Sequence, residues 1–261
     1  MSSAPLEPTL YALLPPALVP SLEAHLSLLS IHVDNINEIN RVYNTVNPVI
    51  QGQLRNLLFR SSSTSTPDPA TSLIKDQAEG NREDINTRST WKNSLAYTSA
   101  PLRGAEYADA CVRAVIALEI PTGVDNGVDE LEEFVNALGF EFSHSYHLLG
   151  HLFHIPIPAP IPPSNPLTLH LSITRLFPVS SSSSTTTSVE PDNDDQQPYL
   201  IQLKPSRPVQ AVSSLSSSSA AAGGGGPTGD IGLGDVIGYM NEVASGIEVV
   251  QWTTNPSGGG R

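Results

Sequence analysis

Within the run Val128 to His154 the apolar positions change period. Val128, Leu131, Val135 and Leu138 recur at three- and four-residue spacing, with Phe134 beside them, which predicts a short amphipathic helix. Asp129, Glu130, Glu132 and Glu133 fill its first turns, where carboxylates suit the positive end of the helix dipole. Asp125 or Asn126 is placed to cap its start, and Gly139 to end it as a C′ glycine. Beyond Gly139 the period becomes two. Phe140, Phe142, His144, Tyr146 and Leu148 alternate with Glu141, Ser143, Ser145 and His147, which predicts a strand with an aromatic core face. Gly150 then allows a turn or bulge, and His151 to Ile157 begins another extended run.

The same alternation recurs along the chain. Leu10 to Leu14 is a short strand ended by Pro15 and Pro16, and Leu18, Leu22, His25, Leu26 and Leu29 mark a first helix. Asn35 to Asn47 is asparagine-rich and ambiguous, whereas Gln53 to Arg60 includes a strand. Trp91, Leu95 and Tyr97 share one side of an extended segment, and Val112 to Ile120 reads as a buried strand. In Leu167 to Leu176 the alternation is cleanest: Leu167, Leu169, Leu171 and Ile173 oppose Thr168, His170, Ser172 and Thr174. Tyr199 to Lys204 adds a strand, about Asp230 to Ala244 a last helix, and Ile247 to Trp252 a closing strand. Many strands at short spacing with about three helices predict a mainly β (α+β) fold, an antiparallel sheet closed or nearly closed into a barrel.

Three tracts are poor in core-forming residues: Ser61 to Asp84, Ser180 to Gln197 and Ser213 to Gly229. With the tail Thr254 to Arg261 they read as insertions that bury too little apolar surface to offset the entropy of ordering. None separates two self-sufficient halves, so residues 1–261 read as one interrupted domain.

Four histidines within eleven residues, His144, His147, His151 and His154, invite a metal-site reading. On one helix they would share a stripe. On strands His144 and His147 face opposite sides and cannot meet at one ion, and Gly139, Gly150 and the prolines from Pro156 onward disfavour the helix. Helical H-E-x-x-H is absent too. Gly223 to Gly226 is a homopolymer rather than a phosphate cradle, and Gly229-Asp-Ile-Gly-Leu-Gly234 lacks the buried strand a dinucleotide site needs. There is no G-x-S-x-G elbow. Charges within the predicted strands (Lys92, Arg113, Glu119, Glu141, Arg175, Lys204) look isolated. No catalytic, cofactor-binding or metal-ligating residue is assigned, and no enzyme activity is expected.

Composition narrows the partners. A net charge of −13 disfavours direct binding to nucleic acid, which needs clustered Lys and Arg. The run Glu190 to Asp195 could contact a basic surface, although composition favours a solvated loop. The single cysteine, Cys111, excludes an intramolecular disulfide and reads as a buried structural thiol in a reducing compartment. No basic leader and no apolar stretch long enough to span a bilayer is found, so a soluble, intracellular protein is expected.

The order helix, Leu138-Gly139-Phe140, alternating strand, Gly150-His151-Leu152-Phe153 resembles the subunit 18 family of the Mediator head module. Leu10 to Leu29 is similar to that family's opening strand and helix, Trp91 to Tyr97 to its aromatic strand, and Val112 to Ile120 to the strand before its helix. Leu167 to Phe177, Tyr199 to Lys204 and Asp230 to Trp252 resemble its closing part. The resemblance implies a barrel related to the triphosphate tunnel enzymes, and subunits 20 and 8 as partners. It further implies a non-catalytic scaffold acting as a coactivator with the RNA polymerase II machinery in the nucleus. Tunnel enzymes need rows of Glu, Lys and Arg. Here Leu10 to Leu14 carries no acidic pair, which leaves a metal-dependent phosphohydrolase as the alternative.

Overall fold

The computed structural model describes residues 5–45, 56–64, 90–120, 127–157, 167–179, 197–211 and 231–254. Eight strands form one closed antiparallel barrel in the order β1-β5-β4-β3-β2-β6-β7-β8. They are β1 (Leu6–Leu14), β2 (His32–Thr45), β3 (Asn56–Thr64), β4 (Thr90–Thr98), β5 (Cys111–Ile120), β6 (Phe140–Pro156), β7 (Thr168–Val179) and β8 (Tyr199–Pro205). Three helices accompany them: α1 (Val19–Leu29), α2 (Gly127–Ala137) and α3 (Leu233–Ser245).

Side chains opposite each other in a ladder share a face, so the registers sort every strand residue to one of two walls. One wall carries Leu10, Ala12, Phe153, Ile155, Leu169, Leu171, Ile173, Ile201 and Leu203, packed with Leu22 and Leu26 of α1 and Val236, Ile237 and Met240 of α3. The same wall supplies Tyr43, Leu57, Phe59 and Leu95 beneath Val135 of α2. An eight-stranded barrel has room inside for side chains, not for three helices. This apolar wall is therefore the outside, and the other wall is the lumen. The polar alternate positions that a sandwich would give to solvent point inward.

The periodic expectations hold for α1, α2, α3 and β7, with narrower stripes. In α1 only Val19, Leu22 and Leu26 are buried, and His25 and Leu29 are exposed. In α2 Val135 is buried and Leu131 half-buried, whereas Phe134 and Leu138 face out. Gly139 ends the helix at φ +84°, left-handed backbone that a C′ residue needs and glycine adopts without strain. Asp125 and Asn126 lie outside the described residues.

Several expectations are corrected. The ambiguous asparagine-rich segment is β2, whose asparagines fall on both walls. Ser61 to Thr64, assigned to the first insertion, is the end of β3 paired with Thr90 to Asn93. The rest of that insertion, 180–196, 213–229 and 255–261 lie outside the described residues. Gly150 makes neither turn nor bulge, since β6 runs through it unbroken. A Cβ there would stand 1.9 Å from the carbonyl oxygen of Ile173, so glycine is required by the close approach of β7. The irregularity lies earlier, where Val42 pairs with His144 but Tyr43 with Phe142. Ser143 is the extra residue of this β-bulge, and it reverses the alternation. Phe140 and Phe142 consequently lie on the outer wall, while His144, Tyr146 and Leu148 lie on the lumen wall; no single aromatic core face exists.

Two further corrections concern burial and pairing. β5 is buried only in its first half; Ile116 and Leu118 are 54% and 63% exposed, and among the described residues no helix covers the outer wall there. Residues 247–252 form no strand. Ile247 and Val250 tuck into the core from a turn after α3, and only Thr253 pairs, exchanging backbone hydrogen bonds with Tyr11.

Candidate functional site

Charges that look isolated along the chain converge once the barrel closes. Lys92, Arg113, Glu119 and Lys204 sit on the lumen wall, joined by Glu7, Asp34, Glu38 and Arg60. Glu141 falls on the lumen parity at an exposed end of β6, and Arg175 falls outside. Six of the eight strands, all but β6 and β7, contribute one or two of these converging residues. Sequence distance hides the set: Glu7 and Lys204 are an ion pair at 3.3 Å although they sit in the first and last strands.

Two polar regions divide the lumen. At one end Asp34 accepts hydrogen bonds from His32 Nε2 and His154 Nε2, both at 2.8 Å. His170 packs edge-on against His154 with ring centroids 4.5 Å apart. Partial burial works to raise the Asp34 pKa, but the hydrogen bonds from His154 and His32 outweigh it and hold the carboxyl below its usual range. His170 is pushed down to about 4, first by burial, then by the neighbouring His154 and Lys204 charges. Nearby, Tyr11 is raised mainly by burial.

The second region spans β2 to β5. Asn40, Arg60, Ser94 and Glu119 form one cross-strand row, and Glu38, Ser62 and Lys92 form the next. All of these but Asn40, together with Asn93 and Ile120, line a cavity of about 630 Å³ that opens to solvent at Lys92 and Glu119 and deepens toward Arg60. Arg60 Nε stands 3.3 Å from Glu38, close enough for attraction, yet misaligned for a hydrogen bond. Tyr146, opposite Asn40, has its pKa raised by burial, with Arg60 and Glu38 pulling in opposite directions.

The four clustered histidines disperse as their strand setting requires. His144 and His154 lie on the lumen wall, His147 and His151 outside. His147 bonds Asn37 at 2.7 Å, and His151 bonds Glu23 of α1 at 2.7 Å. Among the described residues no group of three or more His, Cys, Asp or Glu is placed to hold a metal ion. Of the acidic run, Glu132 is engaged, receiving Arg41 at 3.0 Å and Tyr43 at 3.5 Å, while Glu133 is exposed. Cys111 is buried on the lumen wall opposite Thr9. The outer face of Leu167 to Phe177, considered as a partner surface, is mostly covered: Leu167, Leu169, Leu171 and Ile173 are core.

The constellation missed in the sequence is His32, Asp34, His154 and His170. Its one local signal is His32-Val-Asp34, two polar groups at the period that puts both on one face of a strand. Among the described residues no helix is long and apolar enough to cross a membrane.

No protein-family model matches the chain, and no curated protein matches it. Among solved structures, a chain of the Schizosaccharomyces pombe Mediator head module superposes with a TM-score of 0.51 at 16% identity. The superposition covers 95% of this chain and 97% of that one. A protein of Pyrococcus horikoshii follows with a TM-score of 0.48 at 8% identity, over 95% and 94% of the two chains. An adenylyl cyclase candidate from Hippeastrum with a dominant triphosphatase activity gives 0.37 at 13% identity, over 77% and 79%. At such identities the likeness to the head-module chain is one of fold.

Proposed function

We infer that this chain is a non-catalytic scaffold subunit of the Mediator head module, in the position of subunit 18. In this reading it serves as a coactivator of RNA polymerase II transcription in the nucleus and works through protein interfaces with subunits 20 and 8. The observation that carries the reading is the end-to-end likeness to a head-module chain, which leaves almost none of either chain unmatched. The ordered resemblance around Leu138-Gly139-Phe140 and Gly150-His151-Leu152-Phe153 supports it independently. An outer wall with Ile116 and Leu118 uncovered is compatible with a chain whose surface is completed by neighbours. Co-expression with subunits 8 and 20 should yield a soluble ternary complex. Three well-folded proteins that fail to co-elute would overturn the reading.

One observation favours a second reading, a metal-dependent phosphohydrolase of the tunnel type: Arg60, Lys92, Arg113 and Lys204 all face the lumen. Against it, Arg60 is already beside Glu38 and Lys204 beside Glu7, so half of these cations are compensated before any polyanion arrives. Divalent-metal-dependent phosphate release from triphosphates, abolished by Arg60→Met, would establish the second reading and displace the first.

A further inference from the structure

The barrel closes over a short seam. β1 and β5 pair through four residues each, Leu6 to Thr9 against Ala114 to Cys111, and the Val115 N–H donates to the Pro5 carbonyl at 3.1 Å. Pro5 has no N–H to return, so the ladder stops there. Beyond that bond β5 runs on to Ile120 with a strand partner on one side only, β4, among the described residues. Along a strand the backbone N–H and C=O groups point alternately to its two sides. The Val115 N–H points toward β1. Ala117 and Glu119 therefore aim their backbone groups at the unpaired side, and Ile116, Leu118 and Ile120 aim theirs at β4. Exposure agrees: Ile116, Ala117, Leu118 and Glu119 are all exposed, on both walls.

An open edge is a template for another strand, and proteins blunt such edges with charge, proline or bulges. Other strand ends of this barrel that overhang a neighbour carry such devices: His32 and Asp34 in β2, the bulge at Ser143 in β6, and Pro178 in β7. The end of β5, Ile116-Ala-Leu-Glu-Ile120, has no proline, glycine or lysine. Its one charge, Glu119, has no ion-pair partner among the described residues. A strand added here would set one face beside Ile116 and Leu118 on the outer wall and the other beside Ala117 and Glu119 at the lumen mouth. The first face calls for apolar side chains, the second for a cation. A second copy of this chain fits poorly, because it would bring together two chains of net charge −13. Residues 1–4 of the chain carry no cation either.

We propose that the free edge of β5 captures an extended segment of a partner protein by strand addition, a segment with apolar residues at alternate positions and a Lys or Arg opposite Glu119. Backbone hydrogen bonds to Ala117 and Glu119 hold the segment, and the two faces select its sequence. The inference rests on strand pairing and not on the head-module reading.

The test titrates the full chain with a fluorescein-labelled probe, Thr-Val-Lys-Val-Thr-Val-Ser, read by fluorescence anisotropy. Saturable binding is expected. Two further probes carry N-methyl groups on alternate backbone nitrogens, in opposite parity; one should lose binding and the other keep it, because only one set of N–H groups faces β5. Exchanging the probe's lysine for glutamate should weaken binding by about two- to fivefold, the worth of an exposed ion pair. Glu119→Lys should reverse that preference. Ala117→Pro removes an N–H that no described strand uses and should weaken binding by about tenfold or more. Leu118→Lys, at an exposed position, should blunt the edge in the same way and reads the outcome should the proline variant fail to fold. Absence of saturation, the same response from both methylated probes, or an unchanged lysine preference in Glu119→Lys would each overturn the proposal. So would dimers of the chain that Leu118→Lys dissociates, which assign the edge to a second copy. Probe binding seen only after removal of residues 1–4 would overturn it too, by assigning the edge to this chain itself. None of these readouts involves subunits 8 and 20, so failure here leaves the head-module reading standing, and failure of co-elution leaves this one.

Discussion

His154 and Asp34 join two neighbouring lumen strands through a hydrogen bond of 2.8 Å, and His170 packs against the far side of the same imidazole. β2, β6 and β7 therefore meet at one group of titratable side chains. Protonation there is linked to the integrity of the barrel wall.

The sign of that linkage follows from His170. Its folded pKa of about 4 lies below the ordinary value of 6.5, so the unfolded chain binds the proton more readily. Stability should be fully present above pH 6.5 and decline as pH falls toward 4, by about 1–2 kcal/mol for this residue once solvent screening of a partly exposed group is allowed for. Asp34, whose pKa is depressed, adds a loss at still lower pH. Urea denaturation between pH 7.5 and 4 should show the decline, and His170→Phe should flatten it between pH 6.5 and 4. An unchanged slope in that variant would assign the effect elsewhere.

Gly150→Ala should be among the most damaging small substitutions. Its new methyl group would collide with the backbone of Ile173, which cannot move without opening the β6–β7 ladder. A cost of about 3 kcal/mol is expected from chemical denaturation. If the cost stays below about 1 kcal/mol, the strands are not held at this separation.

Gly238→Ala should do the opposite. Gly238 lies within α3, and a Cβ there meets nothing within 4 Å. Removing glycine's backbone entropy from a helix interior should stabilise the protein by about 0.5–1 kcal/mol. A rise in the thermal midpoint checks this.

Ile116 and Leu118 provide the test that separates folding from association. Both are exposed on the outer wall of β5, so Ile116→Ser with Leu118→Ser should change stability by no more than about 1 kcal/mol. Under the proposed scaffold reading, the same double variant should reduce co-elution with subunits 8 and 20, read by size-exclusion chromatography of the co-expressed proteins. Unimpaired complex formation would place the interface on another face.

How much the sequence reveals depends on which contacts a residue answers to. β7 is legible because its Leu and Ile positions are pressed by helices on one side only, giving a strict period of two. Gly139 is legible because a helix end needs positive φ whatever surrounds it. β2 is obscure because its asparagines serve both walls: Asn37 receives His147 outside, while Asn40 is buried inside. The bulge at Ser143 is set by register with β2, a partner more than ninety residues away, and nothing local announces it. The lumen charges were equally hidden. Each is single within its strand, and only closure through β8 and β1 brings Lys204 to Glu7.

The strand order carries one more implication. β3 and β4 are consecutive and adjacent, and so are β7 and β8, and two of the three low-complexity tracts fall between these pairs. Lengthening a connection between strands that are already neighbours costs only about 0.6 kcal/mol per doubling of its length. Chain length at these two places is thus nearly decoupled from the architecture. Adding or removing residues there should leave the barrel unchanged.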